Sequence, residues 1–308
     1  MKSDNQTRKL TRIKNEIKKI AKHQIEHHDN SDIVLAIQKG EKSLERTFIE
    51  FDIEFKNSYN LADMLDLLSS TYINLAEFAM EKNSVNYNHM LNDFFIGVMT
   101  DIASLKFTEH QHGSVFDTDV CLNILFAMTY CSEDIQRDLI AKLSMMKAFK
   151  EEKNEPVRFF STYTLLPMVK FFYELKHPEI EFPLNISNIA DKKGNLIFDK
   201  NNHRIHPLFK KVLDNYNTEN EETFKNLIDE LCEYHLKRSK NDYFLEFNNL
   251  CWQYFPVEIL FLLKERRSLG YSLNEIHHPL IDDFLPYFLN DFEISVQNKQ
   301  ILELVLEK

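Results

Sequence analysis

The chain has 308 residues, a net charge of −11 and 44% hydrophobic residues, with only 5 glycines and 8 prolines. A chain of this length can bury a large core, which excludes the very small domains that depend on disulfides or structural metals. The cysteines lack the CxxC pairs of a zinc site and the dense spacing of a secreted disulfide-rich domain. We therefore expect free thiols in a reducing compartment at Cys121, Cys131, Cys232 and Cys251.

The N-terminal sequence indicates the compartment. Residues 1–20 are polar and basic and lack the apolar centre of a signal peptide. No segment approaches the roughly 20 consecutive apolar residues that a membrane-spanning helix needs. We therefore expect a soluble, cytoplasmic protein.

Charge is distributed unevenly along the chain. Residues 1–22 contain eight Lys or Arg residues against Asp4 and Glu16, and subtracting this local charge of +6 from −11 leaves −17 for the remaining chain. A strongly acidic surface repels nucleic acids and membrane surfaces and accelerates the encounter with basic proteins. The charge therefore favours a basic protein partner over nucleic acid or a membrane, although a pI near 5.6 is also ordinary for a cytoplasmic protein.

Taken in chain order, the first periodic segment is residues 7–28, where apolar residues at helical spacing face lysines on the opposite side. We expect this narrow amphipathic helix to lie across the acidic body. Ser31 or Asp32 can cap the next helix. The spacing predicts that this second helix is interrupted by Gly40 and has an apolar face of Leu35, Leu44, Phe48 and Phe51.

The same spacing continues through most of the chain. It predicts further helices over residues 60–80, 85–107, 120–131, 135–149, 157–175, 207–213, 221–238 and 250–270. Short polar turns separate them, as in stacked helical hairpins. We expect an all-α fold of irregular stacked hairpins, bundle-like or solenoid-like, in which regions 1–150 and 151–308 form one continuous domain.

Residues 177–206 break the helical pattern. This segment is rich in proline, asparagine and glycine, and the apolar run from Leu196 to Phe198 could form one strand of a short hairpin. We expect any strand to lie within residues 186–206. A loop of this length is often functional, so the segment is also a candidate partner contact.

The densest apolar run, residues 247–289, contains the single tryptophan. Apolar residues from Leu250 to Leu263 cover every face of a helix, which predicts a central helix surrounded by others. Pro256 is expected to bend the chain, and Gly270 to end the helix. A buried carboxylate requires a partner, so Glu258 belongs to a structural ion pair or to a site. The predicted structural core comprises Trp252, Phe255, Glu258 and Arg266.

Motifs for catalysis or metal binding are weak. The polar clusters His23, His27, His28 and Asp29, and Glu109, His110 and His112, are short of the spaced ligands of a metal site. Glu275 and His278 form a single Glu-x-x-His pair, whereas a di-iron bundle needs two. The chain also lacks a phosphate-binding loop, HExxH and GxSxG. We therefore expect a protein that is not an enzyme and has no cofactor or metal.

The C-terminal segment resembles the closing segment of large all-helical immunity proteins of bacterial polymorphic toxin systems, including those paired with type VI secretion effectors. About 45 residues carry the resemblance, at Trp252, Pro256, Glu258, Arg266, Gly270, His278, Pro279, Leu280, Leu285 and Pro286. The resemblance implies a cytoplasmic protein that binds and neutralises a cognate toxin, protecting the producing cell. It implies no particular interface residues.

Three functions follow from these observations. The first is an immunity protein that neutralises a basic toxin by occlusion, the second is a helical-repeat scaffold or adaptor for another protein, and the third is an enzyme whose site forms only in three dimensions. A toxin gene immediately upstream favours the first, and a deep polar pocket around Glu258 favours the third. The candidate toxin-binding residues are Glu219, Glu221, Glu222, Asp282 and Asp283.

Overall fold

The computed structural model describes residues 2–24, 30–50, 52–81, 87–107, 120–152, 165–183, 206–242, 245–285, 295–296, 299–300 and 303. These residues are mostly helical and include a two-stranded antiparallel sheet. The predominantly helical fold predicted from the sequence is therefore confirmed.

Helices and strands follow one another in a simple order. The helices are α1 (Lys2–Gln24), α2 (Ser31–Gln38), α3 (Leu61–Glu81), α4 (Tyr87–Phe107), α5 (Val120–Tyr130), α6 (Glu133–Glu152), α7 (Leu166–Lys176), α8 (Pro207–Asn215), α9 (Glu221–Arg238), α10 (Leu250–Tyr254) and α11 (Val257–Ser268). The strands are β1 (Ser43–Glu50) and β2 (Ile53–Asn60).

The chain forms two compact units, each assembled from separate segments. Unit 1 contains residues 1–16, 114–140 and 150–291, and unit 2 contains residues 17–113, 141–149 and 292–308. Both units draw residues from each side of position 150.

The position of the β-hairpin corrects two predictions. It spans residues 43–60, whereas the sequence predicted helix there and strand only within residues 186–206. Residues 184–205 lie outside the described part of the chain. The helical spacing of Leu44 and Phe48 was misleading, because both residues belong to β1 and Leu44 pairs with Tyr59 across the sheet.

Glycine ends the second helix instead of interrupting it. Gly40 has φ 73°, a left-handed conformation that glycine adopts without a steric penalty. Its N–H donates to Ile37 O, and the Glu41 N–H donates to Ala36 O, both at 3.0 Å. These two bonds form a Schellman cap. The helix buries Ile33, Ala36 and Ile37, whereas Leu35, predicted on the apolar face, is 49% exposed.

The core of unit 1 surrounds α5 and α11. Every residue of α5 is buried, and α11 is buried from Val257 to Leu263 on all faces. The aromatic side chains of Phe126, Tyr130 and Phe255 contact one another at ring-centroid distances of 5.1 to 6.1 Å. The sequence therefore placed the central apolar helix correctly.

Prolines mark helix starts in unit 1. Pro256 lies between α10 and α11 and caps the start of α11. Pro167 lies in the first turn of α7, because residue 165 is a turn and the helix begins at Leu166. Of the helix predicted over residues 157–175, the structure describes only the part from residue 165 onwards. Proline tolerates a first turn because the N–H it lacks would have no partner there.

In unit 2, α3 and α4 pack closely at Gly97. A Cβ atom at this glycine would lie 2.8 Å from Ile73 Cγ1 and 3.2 Å from the Ser69 carbonyl oxygen. The Ser69 hydroxyl donates to Gly97 O at 2.7 Å in a buried environment. Glycine is therefore required by the close approach of the two helices.

Gly97→Ala should destabilise unit 2 by about 1 kcal/mol, because overpacking costs more than the gain in helix propensity. Thermal unfolding measures this loss. The cost should shrink in an Ile73→Ala background, where the clashing Cγ1 is absent. An equal loss in both backgrounds would show that the Ile73 contact is not the cause.

Trp252→Ala should lower the free energy of unfolding by about 3 to 5 kcal/mol, as for other large-to-small core substitutions. Trp252 is only 2% exposed and contacts Phe255 at a ring-centroid distance of 6.4 Å. Urea denaturation monitored by circular dichroism measures the loss. An unchanged midpoint would contradict a core role for this residue.

Candidate functional site

Acidic side chains cluster at the start of α9 in unit 1. The Asn220 side chain caps the helix by accepting the Thr223 N–H at 2.8 Å. Glu219, Glu221 and Glu222 are all exposed around this cap. Carboxylates at a helix N-terminus are stabilised by the helix dipole, so the fold holds three negative charges together at the surface.

Arg266 fixes this helix start to the end of α11. Its side chain is buried, and one guanidinium nitrogen donates to Thr218 O. The guanidinium lies 4.5 Å from the Phe224 ring centroid and 3.9 Å from that of Tyr271. Cation–π contacts of this kind strengthen when water is excluded. One buried cation therefore joins the loop before α9, α9 itself and the turn after α11.

Gly270 allows the chain to turn back beside Arg266. It has φ 87°, its N–H donates to Arg267 O at 2.8 Å, and the Tyr271 N–H donates to Arg266 O at 3.3 Å. This Schellman cap ends α11 at the glycine predicted to end it. It also brings the Tyr271 ring onto the guanidinium.

Two neighbouring cavities lie beside this turn. The larger is an open cleft of about 1060 Å³, and the smaller has a volume of about 250 Å³. Ser272 and Ile276 line both. The cleft is also lined by Arg267, Tyr271, Leu273, Asn274, His277 and Leu285, and the smaller cavity by Glu221, Phe224, Arg266 and Glu275.

The two predicted aspartates differ in availability. Both are exposed, and the Asp282 carboxylate accepts the backbone N–H of His278 at 2.9 Å. Asp283 accepts Lys14 Nζ at 2.8 Å and the Tyr254 hydroxyl at 2.9 Å. Desolvation by burial opposes ionisation of Asp283, but these hydrogen bonds outweigh it and hold its pKa below the ordinary value. Asp283 is therefore engaged within unit 1.

Glu258 has a buried partner on another helix. Its Oε1 lies 2.7 Å from His235 Nδ1, and His235 Nε2 lies 3.1 Å from the Gln253 carbonyl oxygen. The side chains of His235 and Glu258 are 0% and 2% exposed. His235 also stacks on Phe247 at a ring-centroid distance of 4.0 Å. This pair joins α9 to α11, and Arg266 does not take part in it.

Other titratable groups surround the His235–Glu258 pair without forming a metal site. Burial raises the pKa of the Cys232 thiol, and nearby Glu258 acts in the same direction. Burial lowers the pKa of His278, against the opposing effect of Asp229 and other carboxylates. Among the described residues, no group of three or more His, Cys, Asp or Glu side chains could hold a metal ion.

These buried groups suit a structural role better than a catalytic one. The Glu258 carboxylate and the His235 ring are enclosed by protein, so a substrate cannot reach them. Glu258 Oε2 and Gln253 Oε1 are buried without a hydrogen-bond partner in the described chain. A bound water is the ordinary partner of such atoms.

The structure brings together only part of the predicted site. Glu219, Glu221 and Glu222 share one helix start, and Glu275 lies with Glu221 around the smaller cavity. Sequence reasoning missed Glu275, Tyr271 and Arg267 as neighbours of this surface. Only Gly270 could have indicated these neighbours from the sequence. A glycine that ends a helix lets the following residues fold back beside the last helical turn. The clusters at 27–29 and 109–112 lie outside the described residues, and the side chain of His23 is not described.

Comparison with protein-family models, curated proteins and solved structures finds no significant match. Within the described segments, every helix is too short or too polar to cross a lipid bilayer.

His235→Leu should destabilise unit 1 by about 3 to 5 kcal/mol, because it leaves the Glu258 carboxyl buried without its partner. The double variant His235→Leu/Glu258→Leu should be more stable than His235→Leu alone, because no unpaired carboxyl remains. Urea denaturation of the three proteins measures both effects. A double variant less stable than His235→Leu would contradict the pairing.

Proposed function

We propose that this chain binds a basic protein through the acidic surface at the start of α9 and inactivates it by occlusion. The partner class that fits is a toxin, so the chain would act as the immunity protein of a bacterial toxin system, in the cytoplasm of the producing cell. The exposed cluster of Glu219, Glu221 and Glu222 carries the proposal. The resemblance of residues 247–289 to immunity proteins supports the choice of a toxin.

Rigidity supports binding by occlusion. Glu221 and Glu222 lie in the first turn of a capped helix and Glu219 directly precedes the cap. Arg266 anchors that helix start to the buried core. A surface organised before binding loses less conformational entropy when the partner docks. Irregular stacked helical hairpins would provide the frame for such a surface.

Neutralisation distinguishes this function from that of a scaffold or adaptor. The test is to express the protein encoded immediately upstream, alone and together with the full chain, and to measure growth and co-purification. An immunity protein restores growth and co-purifies with the upstream product. Co-purification without any effect on growth supports the adaptor, and failure to bind contradicts the proposal.

The double variant Glu221→Lys/Glu222→Lys should slow association with the partner about tenfold at low salt and flatten its salt dependence, because like charges now face each other. Stopped-flow or surface-plasmon measurements over a range of salt concentrations provide the rates. The fold should persist, since both side chains are exposed.

The matched control is Glu133→Lys/Asp134→Lys at the start of α6. These residues are also exposed carboxylates in the first turn of a helix, so the change in charge and the loss of favourable helix-dipole interaction are comparable. This control should bind at nearly the normal rate. Equal slowing by both variants would show that only net charge matters, and no slowing by either would point to an apolar interface.

A further inference from the structure

The hairpin of unit 2 has an open edge, the side of β2 that pairs with no other described strand. Two residues separate Glu50, the last residue of β1, from Ile53, the first residue of β2. A two-residue turn is closed by a hydrogen-bonded pair, which here is Glu50 and Ile53. Because hydrogen-bonded and non-hydrogen-bonded pairs alternate, the backbone N–H and C=O groups of Glu54, Lys56 and Ser58 point away from β1. These groups form no hydrogen bond with the rest of the described chain.

The open edge lines a cleft of about 670 Å³ between β2 and the first half of α3. Lys56, Asn57, Ser58 and Tyr59 form the strand wall, and Asp63, Asp66 and Leu67 form the helix wall. Strand residues advance by about 3.4 Å, so the strand wall is roughly 10 Å long and matches about four extended residues.

The helix wall presents two carboxylates in different states. Asp63 is engaged in a reciprocal cap, in which its N–H donates to Asn60 Oδ1 and its carboxylate accepts the Asn60 N–H, both at 3.0 Å. Asp66 is accessible at the surface but partly desolvated, and it forms no hydrogen bond or ion pair with another described residue. Desolvation by burial, together with the negative charge of Asp63, raises the pKa of Asp66. A cation beside Asp66 would offset both effects.

The hairpin also exposes large apolar side chains. Phe48 and Phe55 lie opposite each other, and with Ile53 they share one face of the sheet. These side chains are 40%, 44% and 58% exposed, respectively, and Ile49 on the other face is 77% exposed. A two-stranded hairpin is only marginally stable in water, whereas three strands with an apolar face are more stable. A third strand would therefore complete this sheet.

We propose that the cleft between β2 and α3 binds an extended segment of a basic protein, which adds to β2 as a third strand. Its backbone pairs with Glu54, Lys56 and Ser58, and a lysine or arginine side chain of the segment reaches Asp66. Strand addition of this kind derives affinity from main-chain hydrogen bonds and selectivity from side-chain contacts. The inference goes beyond the proposed function, because it concerns unit 2 and holds for any extended basic segment.

A synthetic peptide of alternating lysine and valine, added to the full chain, tests this binding mode. One comparison peptide replaces lysine with glutamate, and another carries N-methyl groups at alternate residues so that its backbone cannot pair with a strand. NMR measures amide chemical shifts and hydrogen exchange. The lysine peptide should bind and slow amide exchange at Lys56 and Ser58 about tenfold, whereas the two comparison peptides should bind more weakly.

Asp66→Asn should weaken binding of the lysine peptide about fivefold, as expected for a partly exposed charge pair. Glu41→Gln removes one exposed carboxylate elsewhere in unit 2 and should leave the affinity unchanged. Asp63 is retained in both variants because it caps α3.

Several outcomes would overturn the proposal. One is that the lysine peptide does not bind, or that it binds without changing the amide signals of β2. Another is that the glutamate or N-methyl peptide binds as tightly as the lysine peptide. A third is that the Asp66→Asn variant binds the lysine peptide as tightly as the unchanged chain does. A negative result with these peptides would not bear on the acidic surface at the start of α9. That surface is tested separately, by the association rates of the Glu221→Lys/Glu222→Lys variant.

Discussion

The buried guanidinium of Arg266 organises the surface of unit 1. An arginine enclosed by protein requires compensation for its lost water. Here a backbone oxygen and two aromatic rings supply part of it, and Nε has no hydrogen-bond partner among the described residues. These groups come from the loop before α9, from α9 and from the turn after α11. Contacts with this one guanidinium therefore hold three segments of the chain together, and they set the position of the acidic start of α9.

The His235–Glu258 pair plays a parallel role in the interior of unit 1. It links the C-terminal part of α9 to the first turn of α11, so α9 is held at its start by Arg266 and near its end by this pair. Buried ionisable pairs contribute little net stability compared with apolar packing. They restrict the ways in which helices can pack, because an alternative arrangement would leave a buried group without its partner.

The sequence predicted the helical elements of the core well and the surface poorly. Helices α3, α5, α9 and α11 have strong apolar periodicity or continuous apolar runs, and burial of that surface dominates local preference. Gly270 was identifiable because few residues suit the cap position that ends a helix. Such signals are local, so they were readable before any three-dimensional structure was available.

The hairpin was not predicted because the spacing of its apolar residues fits both the helical and the strand repeat. Leu44 and Phe48 are four residues apart, which fits both a helix face and one face of a strand. The β-branched and aromatic residues between Thr47 and Phe55 favoured a strand, but helical patterns on either side suggested continuation of helix. Partners such as His235 for Glu258 were inaccessible for a different reason, since they depend on packing between distant segments.

Net charge alone could not locate a binding surface in this chain, because many acidic side chains already have internal partners. Asp283 pairs with Lys14, Glu265 with Lys176, and Glu230 with Lys211. Glu219, Glu221 and Asp66, by contrast, form no hydrogen bond or ion pair with other described residues. Carboxylates already paired within the chain gain less from an incoming cation than these three do. The distribution of unpaired carboxylates, more than the total of −11, therefore favours the start of α9 in unit 1 and the cleft beside β2 in unit 2 as the surfaces for the binding that we propose.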